Sequence, residues 1–147
     1  MKLLSTIFIF TSLTLSSTEW KTDFRQAKAE ATQNHKVILL NFSGSDWCTP
    51  CMRLKTEIFD AEEFHSYASQ NLELVNADFP RLKKNKLSVE QSQQNDSLAA
   101  IYNPNGKFPL TVLIRDNGKV LKVWEGFPGV SPQEFVNQIK SVVDASR

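Results

Sequence analysis

Val37-Ile38-Leu39-Leu40-Asn41-Phe42-Ser43-Gly44-Ser45-Asp46-Trp47-Cys48-Thr49-Pro50-Cys51 is the stretch on which the reading of this chain turns. Val37 to Phe42 is almost wholly apolar, as expected of a central strand covered on both faces. A short polar turn follows. Then the chain's 2 cysteines stand two residues apart where a helical pattern begins. A C-x-x-C pair at a strand-to-helix junction suits dithiol–disulfide chemistry.

The reason lies in the geometry of a helix start. A sulfur at the cap faces backbone N–H groups that have no intrahelical partner, and the positive end of the helix dipole. Both favour thiolate over thiol, which makes Cys48 the expected attacking sulfur. Cys51, one turn further in, lies on the same face within disulfide reach but deeper, and is the expected resolving thiol. Pro50 fits because the first helical turn loses nothing from a missing N–H. Three other readings stay open. A structural disulfide would close so small a loop that little unfolded-state entropy is removed. Half a zinc site would have only His35 and His65 to complete it. Two inert thiols are the third.

Working outward, 147 residues make one domain with room for a real core. Hydrophobic residues at 41% and charged residues at 22% are ordinary globular proportions. The formal net charge of +1 points to neither nucleic acid nor an anionic membrane as partner. Arg81-Leu82-Lys83-Lys84-Asn85-Lys86 is read as a solvated basic loop. Residues 1–18 have the pattern of a secretory signal peptide: Lys2, an apolar run from Leu3 to Leu15, then Ser16, Ser17 and Thr18. The run is too short and too hydroxyl-rich for a comfortable transmembrane helix. Residues 19–147 are then the mature domain, exported to a periplasm or secreted, where disulfides persist.

Trp20, Phe24, Ala27 and Ala31 recur at helical spacing, so the first helix is expected from Glu19 to about Asn34. A helix from Cys48 to about Phe59 has Met52, Leu54 and Ile58 available for packing. Asp60 is placed as the next N-cap, with Glu63 as its capping-box partner, before a short helix through Phe64, Tyr67 and Ala68. Leu72 to Asp78 is a strand, and Phe79 to Leu87 a loop. Ser88 caps a helix, with Gln91 reciprocating, that runs to about Tyr102 and packs through Leu98 and Ile101. Leu110 to Ile114 and Val120 to Trp124 form a hairpin through Asp116-Asn117-Gly118. Ser131 and Pro132 open a last helix whose core face is Phe135, Val136, Ile139 and Val143. The order gives an α/β fold: a mixed sheet, parallel first and antiparallel at the end, with helices on both faces.

With that order in hand, the chain resembles the thioredoxin superfamily, and within it the exported bacterial thioredoxin-like proteins. Trp47-Cys48-Thr49-Pro50-Cys51 resembles the W-C-x-P-C active site. Phe108-Pro109 stands where the family has its cis-proline, and Gly126 matches the glycine before the final helix. The resemblance implies a thioredoxin fold and a Cys48–Cys51 redox disulfide. It also implies a substrate groove formed by Trp47, Thr49, Pro50, Phe108 and Pro109, in which Phe108 offers its backbone to an extended peptide. Cytosolic-type relatives carry a buried aspartate under the motif and a lysine near it. Those positions fall here on Asn41 and about Leu74, a joint loss that burial energetics demands. Water or Asp46 is then left to take the proton from Cys51.

The function expected is a thiol–disulfide oxidoreductase acting on protein or peptide disulfides, with reduction favoured over oxidation by Thr49-Pro50. It needs no cofactor and no metal. A membrane-embedded thiol reductase is the expected electron donor. The alternative is a non-catalytic peptide-binding or chaperone-like module in which the disulfide only braces the fold.

Overall fold

β2, Val37–Ser43, forms as its apolar run predicts and lies at the centre of a five-stranded sheet, with β3 (Leu72–Asp78) and then β1 (Trp20–Lys21) on one side and β4 (Leu110–Ile114) and then β5 (Val120–Glu125) on the other. The computed structural model describes residues 18–146, so the expected signal segment lies outside the described residues except for Thr18. β3, Leu72–Asp78, runs parallel to β2. β4, Leu110–Ile114, and β5, Val120–Glu125, complete the sheet in antiparallel fashion. The hairpin turn forms as expected, with Gly118 at φ 88° and its N–H on the Arg115 carbonyl.

Alternation along these strands sorts the core into two layers. Leu39, Leu74 and Leu113 face α3, Glu62–Asn71, and α5, Pro132–Ala145, meeting Phe64, Phe135 and Ile139. Ile38, Leu40, Val75 and Val112 face the other way, onto Ala27 and Ala31 of α1, Phe24–Asn34, and Leu98 of α4, Val89–Tyr102. α5 opens as predicted, with Ser131 Oγ accepting from Glu134 N and the four expected side chains buried.

Four expectations are corrected. The first helix begins at Phe24, not Glu19. Asp23 caps it, accepting from the N–H of Arg25 and Gln26. Trp20 and Lys21 are instead a short edge strand, β1, parallel to β3, and the Trp20 ring packs 4.7 Å from Phe59. Asp60 does not cap α3. Ala61 is the N-cap, and the Asp60 carboxylate takes Lys55 Nζ at 2.7 and 2.9 Å. Ser88 does cap α4, but the Gln91 side chain reaches Thr22 and Asn95 and does not reciprocate. Ile101 and Met52, expected to pack, are exposed at 69% and 41%: each falls on the solvent side of its helix.

β1 is fixed by charge as well as by its ladder. Glu73, on β3, is buried, with Lys21 Nζ at 2.8 Å and Lys36 Nζ at 3.5 Å; Lys21 also reaches Glu30 at 3.1 Å. Burial by itself would lower the Lys21 pKa, but hydrogen bonds and attraction from Glu73 and Glu30 outweigh it and leave it raised. Glu30 is held below its ordinary value, first by the hydrogen bond from Gln26 and then by Lys21.

Candidate active site

The sheet delivers the motif at the C-terminal end of β2, where open α/β sheets place their ligands. Gly44 makes the turn. Its carbonyl accepts the N–H groups of Trp47 at 3.2 Å and Cys48 at 2.9 Å, so the chain doubles back at once into a helix. Only glycine fits, because a Cβ here would overlap the Trp47 indole. Cys48 is extended (φ −95°, ψ 95°) and caps α2, Thr49–Leu54. Its Sγ accepts from Cys51 N at 3.3 Å, and its carbonyl accepts Cys51 N and Met52 N. Pro50 lies in the first turn, as predicted. The helix continues past Leu54 through a π-helical turn, Lys55–Phe59, a distortion frequent near functional sites.

Cys48 and Cys51 form a disulfide with Cα atoms 5.2 Å apart. Their expected difference in depth is absent: the residues are 4% and 5% exposed. What distinguishes them is hydrogen bonding, since Cys48 holds the cap. Among the described residues, no three His, Cys, Asp or Glu gather into a group able to hold a metal.

Of the other predicted residues, Trp47 and Phe108 are brought into contact. Thr49 and Pro50 are exposed on the first turn. The Phe108–Pro109 peptide is cis, Pro109 is buried, and its carbonyl accepts from Gly126 N at 2.8 Å. The Trp47 ring meets Phe108 edge-on at 5.4 Å, and Phe108 meets Phe79 in the same way. Phe79 and Arg81 had no place in the sequence-based site. The Phe79 carbonyl accepts the indole N–H of Trp47 at 2.8 Å, and the Arg81 guanidinium lies over the indole at 3.7 Å. The basic loop therefore packs against the Trp47 side chain.

Asp46 ties that loop down. Its carboxylate accepts from Arg81 N, Leu82 N and Asn85 Nδ2 at 2.9 to 3.0 Å. The Arg81 N–H above all, with Asn85 and Leu82 behind it, holds the Asp46 carboxyl below the usual carboxylate range. All three of these bonds run to the loop, and Asp46 is not among the residues that line the cavity under Cys51.

Beneath Cys51 lies a cavity of about 230 Å³ with Asn41, Ser43, Ser45, Asn76 and Lys55 in its walls. Asn41 stands opposite Asn76 in the β2–β3 register, so the position beside it belongs to Asn76 and not to Leu74. Thr111 Oγ1 donates to Asn41 Oδ1 at 3.1 Å, and Asn41 Nδ2 to Asn76 Oδ1 at 3.0 Å. A hydrogen-bonded pair of neutral amides thus stands where the resemblance implied an acid and a cation in cytosolic-type relatives, and leaves no lone buried charge.

A sheet of this order, with a disulfide capping the helix after its central strand, defines the thioredoxin-fold dithiol proteins. Comparison agrees, and the chain belongs to the thioredoxin-like family, whose model matches residues 19–114. The disulfide bond reductase DsbH of Chlamydia pneumoniae is 36% identical over 125 residues, spanning 85% of this chain and 72% of that protein. The solved structure of a DsbH oxidoreductase superposes with a TM-score of 0.79 at 31% identity, covering 97% of this chain and 95% of the other. The thioredoxin-related protein DsbJ of Chlamydia pneumoniae is 28% identical over 124 residues, but this chain spans only 34% of it. Together with the Cys48–Cys51 pair, these relations make the chain a thiol–disulfide oxidoreductase.

Proposed function

We propose that this oxidoreductase reduces disulfides in proteins or peptides, with Cys48 as nucleophile and Cys51 as resolving thiol. The observation that carries the assignment is the cap: Cys48 Sγ accepts the Cys51 N–H at a helix start, where a thiolate would be held by the same donor and by the helix dipole. In the reduced protein, the Cys48 thiolate attacks one sulfur of the substrate disulfide and forms a mixed disulfide. Cys51 then attacks Cys48, the Cys48–substrate bond breaks, and both substrate sulfurs leave reduced. The substrate segment lies along Phe108 and Pro109, against the Trp47 ring.

Reduction is supported by Thr49-Pro50 and by the reductase activity named for the DsbH relative. Residues 1–18 support export, with residues 19–147 as the mature domain. In that setting a membrane-embedded thiol reductase supplies the electrons. Insulin reduction tests the chemistry: Cys48→Ser should abolish it, and equal rates would favour the peptide-binding alternative. Cys51→Ser should trap substrates on Cys48. Equilibration with glutathione tests direction. A midpoint towards the thioredoxin value of about −270 mV fits reduction, and one above about −180 mV refutes it.

A further inference from the structure

Resolution needs Cys51 as a thiolate, and a thiolate forms only when something takes the proton. The walls of the cavity beneath Cys51 contain no carboxylate and no imidazole. The Asn41 and Asn76 amides do not titrate at neutral pH. Lys55 Nζ is paired with Asp60, and Asp46, bonded to the loop, does not line this cavity. Ser43 is different. Its hydroxyl has one proton and two acceptors in range, Asn76 Oδ1 at 3.1 Å inside the cavity wall and Asp78 Oδ1 at 3.3 Å beyond it. Asp78 is held in place from the motif itself, Oδ1 by Ser45 N at 2.8 Å and Oδ2 by Ser45 Oγ.

We propose that Asp78 is the terminal acceptor of the Cys51 proton, reached through the Ser43 hydroxyl. This rests on the dithiol reading above and adds a route to it. The proton leaves Cys51 Sγ for Ser43 Oγ, directly or across water held by the Asn41, Ser43 and Asn76 groups of the cavity wall, while the Ser43 proton passes to Asp78. The Cys51 thiolate then attacks Cys48 Sγ, the bond from Cys48 to the substrate sulfur breaks, and the electron pair departs on that sulfur. Asp78 returns its proton to solvent. The chain from Thr111 through Asn41 to Asn76 keeps the Ser43 acceptor in position, which makes these three positioning residues. The charged groups around the route are Lys55 with Asp60 on the cavity side. On the loop side they are Arg81, Lys83, Lys86 and Asp96, which share a second cavity with Asp78.

A stopped-flow experiment on the reduced full-length protein separates the steps. Mixed with an equal amount of a bis-nitrobenzoate aryl disulfide, it should release one coloured thiolate when Cys48 attacks and a second when Cys51 closes the bridge. Asp78→Asn keeps the shape and the acceptor for Ser45 N. It should slow the second phase at neutral pH by about ten- to a hundredfold, at or below the low end for general bases, and leave the first unchanged. The deficit should shrink as pH rises and hydroxide takes over. Ser43→Ala should behave alike, and Asp78→Glu should recover part of the rate. The proposal is overturned if the second phase is unchanged in Asp78→Asn and Ser43→Ala, or if both phases fall together at every pH. A wild-type protein with no second phase would instead sink the dithiol reading itself.

Discussion

Replacing Gly44 by alanine isolates what the active-site turn does for Trp47. Gly44 is not among the residues with positive φ, so alanine meets no backbone penalty. It meets the indole, which a methyl group would overlap. The turn cannot widen freely, because the Gly44 carbonyl holds both Trp47 N and Cys48 N. The ring must therefore leave its seat. Losing the hydrogen bond to Phe79 costs about 1 kcal/mol, the edge contact with Phe108 about another, and the Arg81 stack about 0.5 kcal/mol at an exposed site. The ceiling is then about 2–3 kcal/mol, read from urea midpoints at constant slope. In a Trp47→Ala background the same substitution meets no indole and should be neutral or slightly stabilising. The coupling between the two sites is expected to be about 2 kcal/mol, and insulin reduction should fall in the single Gly44→Ala variant. Additive effects, within about 0.5 kcal/mol, would refute the steric argument.

Glu73→Gln removes the buried charge shared by Lys21 and Lys36. It should destabilise by about 2–3 kcal/mol in urea unfolding, below a fully buried pair because both ammonium groups keep some water. The stability gap between wild type and Lys21→Met should be level across neutral pH. The raised Lys21 contributes fully below its ordinary 10.5 and is lost as pH climbs through its raised value. The lowered Glu30 contributes above 4.5 and is lost as pH falls. A gap that widens towards acid would contradict this. Asp46→Ala should speed hydrogen exchange at the Arg81 and Leu82 amides without moving those of β2, and unchanged exchange there would show the loop is held by other means.

The motif and the four longer strands were legible because their signals are local. Cysteines name themselves, β2 is a continuous apolar run, and Leu72–Asp78 and Leu110–Ile114 form where expected. What escaped depends on pairing. Trp20 has helical spacing to Phe24 and Ala27, yet its place is decided by a ladder partner, Leu74, far along the chain. The neighbour of Asn41 was misplaced for the same reason: register follows from the whole β2–β3 alignment, and a two-residue error exchanges Asn76 for Leu74. Asp60 had a fitting capping-box pattern, but Lys55 offered a stronger partner on the preceding turn. The Asp46 bonds to the loop and the Phe79 contact with Trp47 join partners 32 to 39 residues apart, which no spacing rule reaches.

The Asp46 latch bears on how this scaffold can be recombined. Segment 79–87 and the residue two places before the nucleophile make one mechanical part, although they are separate in the chain. A transplant of that segment into another thioredoxin-type host would keep its shape only if the acceptor before the first cysteine travelled with it. Conversely, a library that varies 83, 84 and 86 while sparing 46, 79, 81 and 85 would sample new rims around an unaltered redox pair.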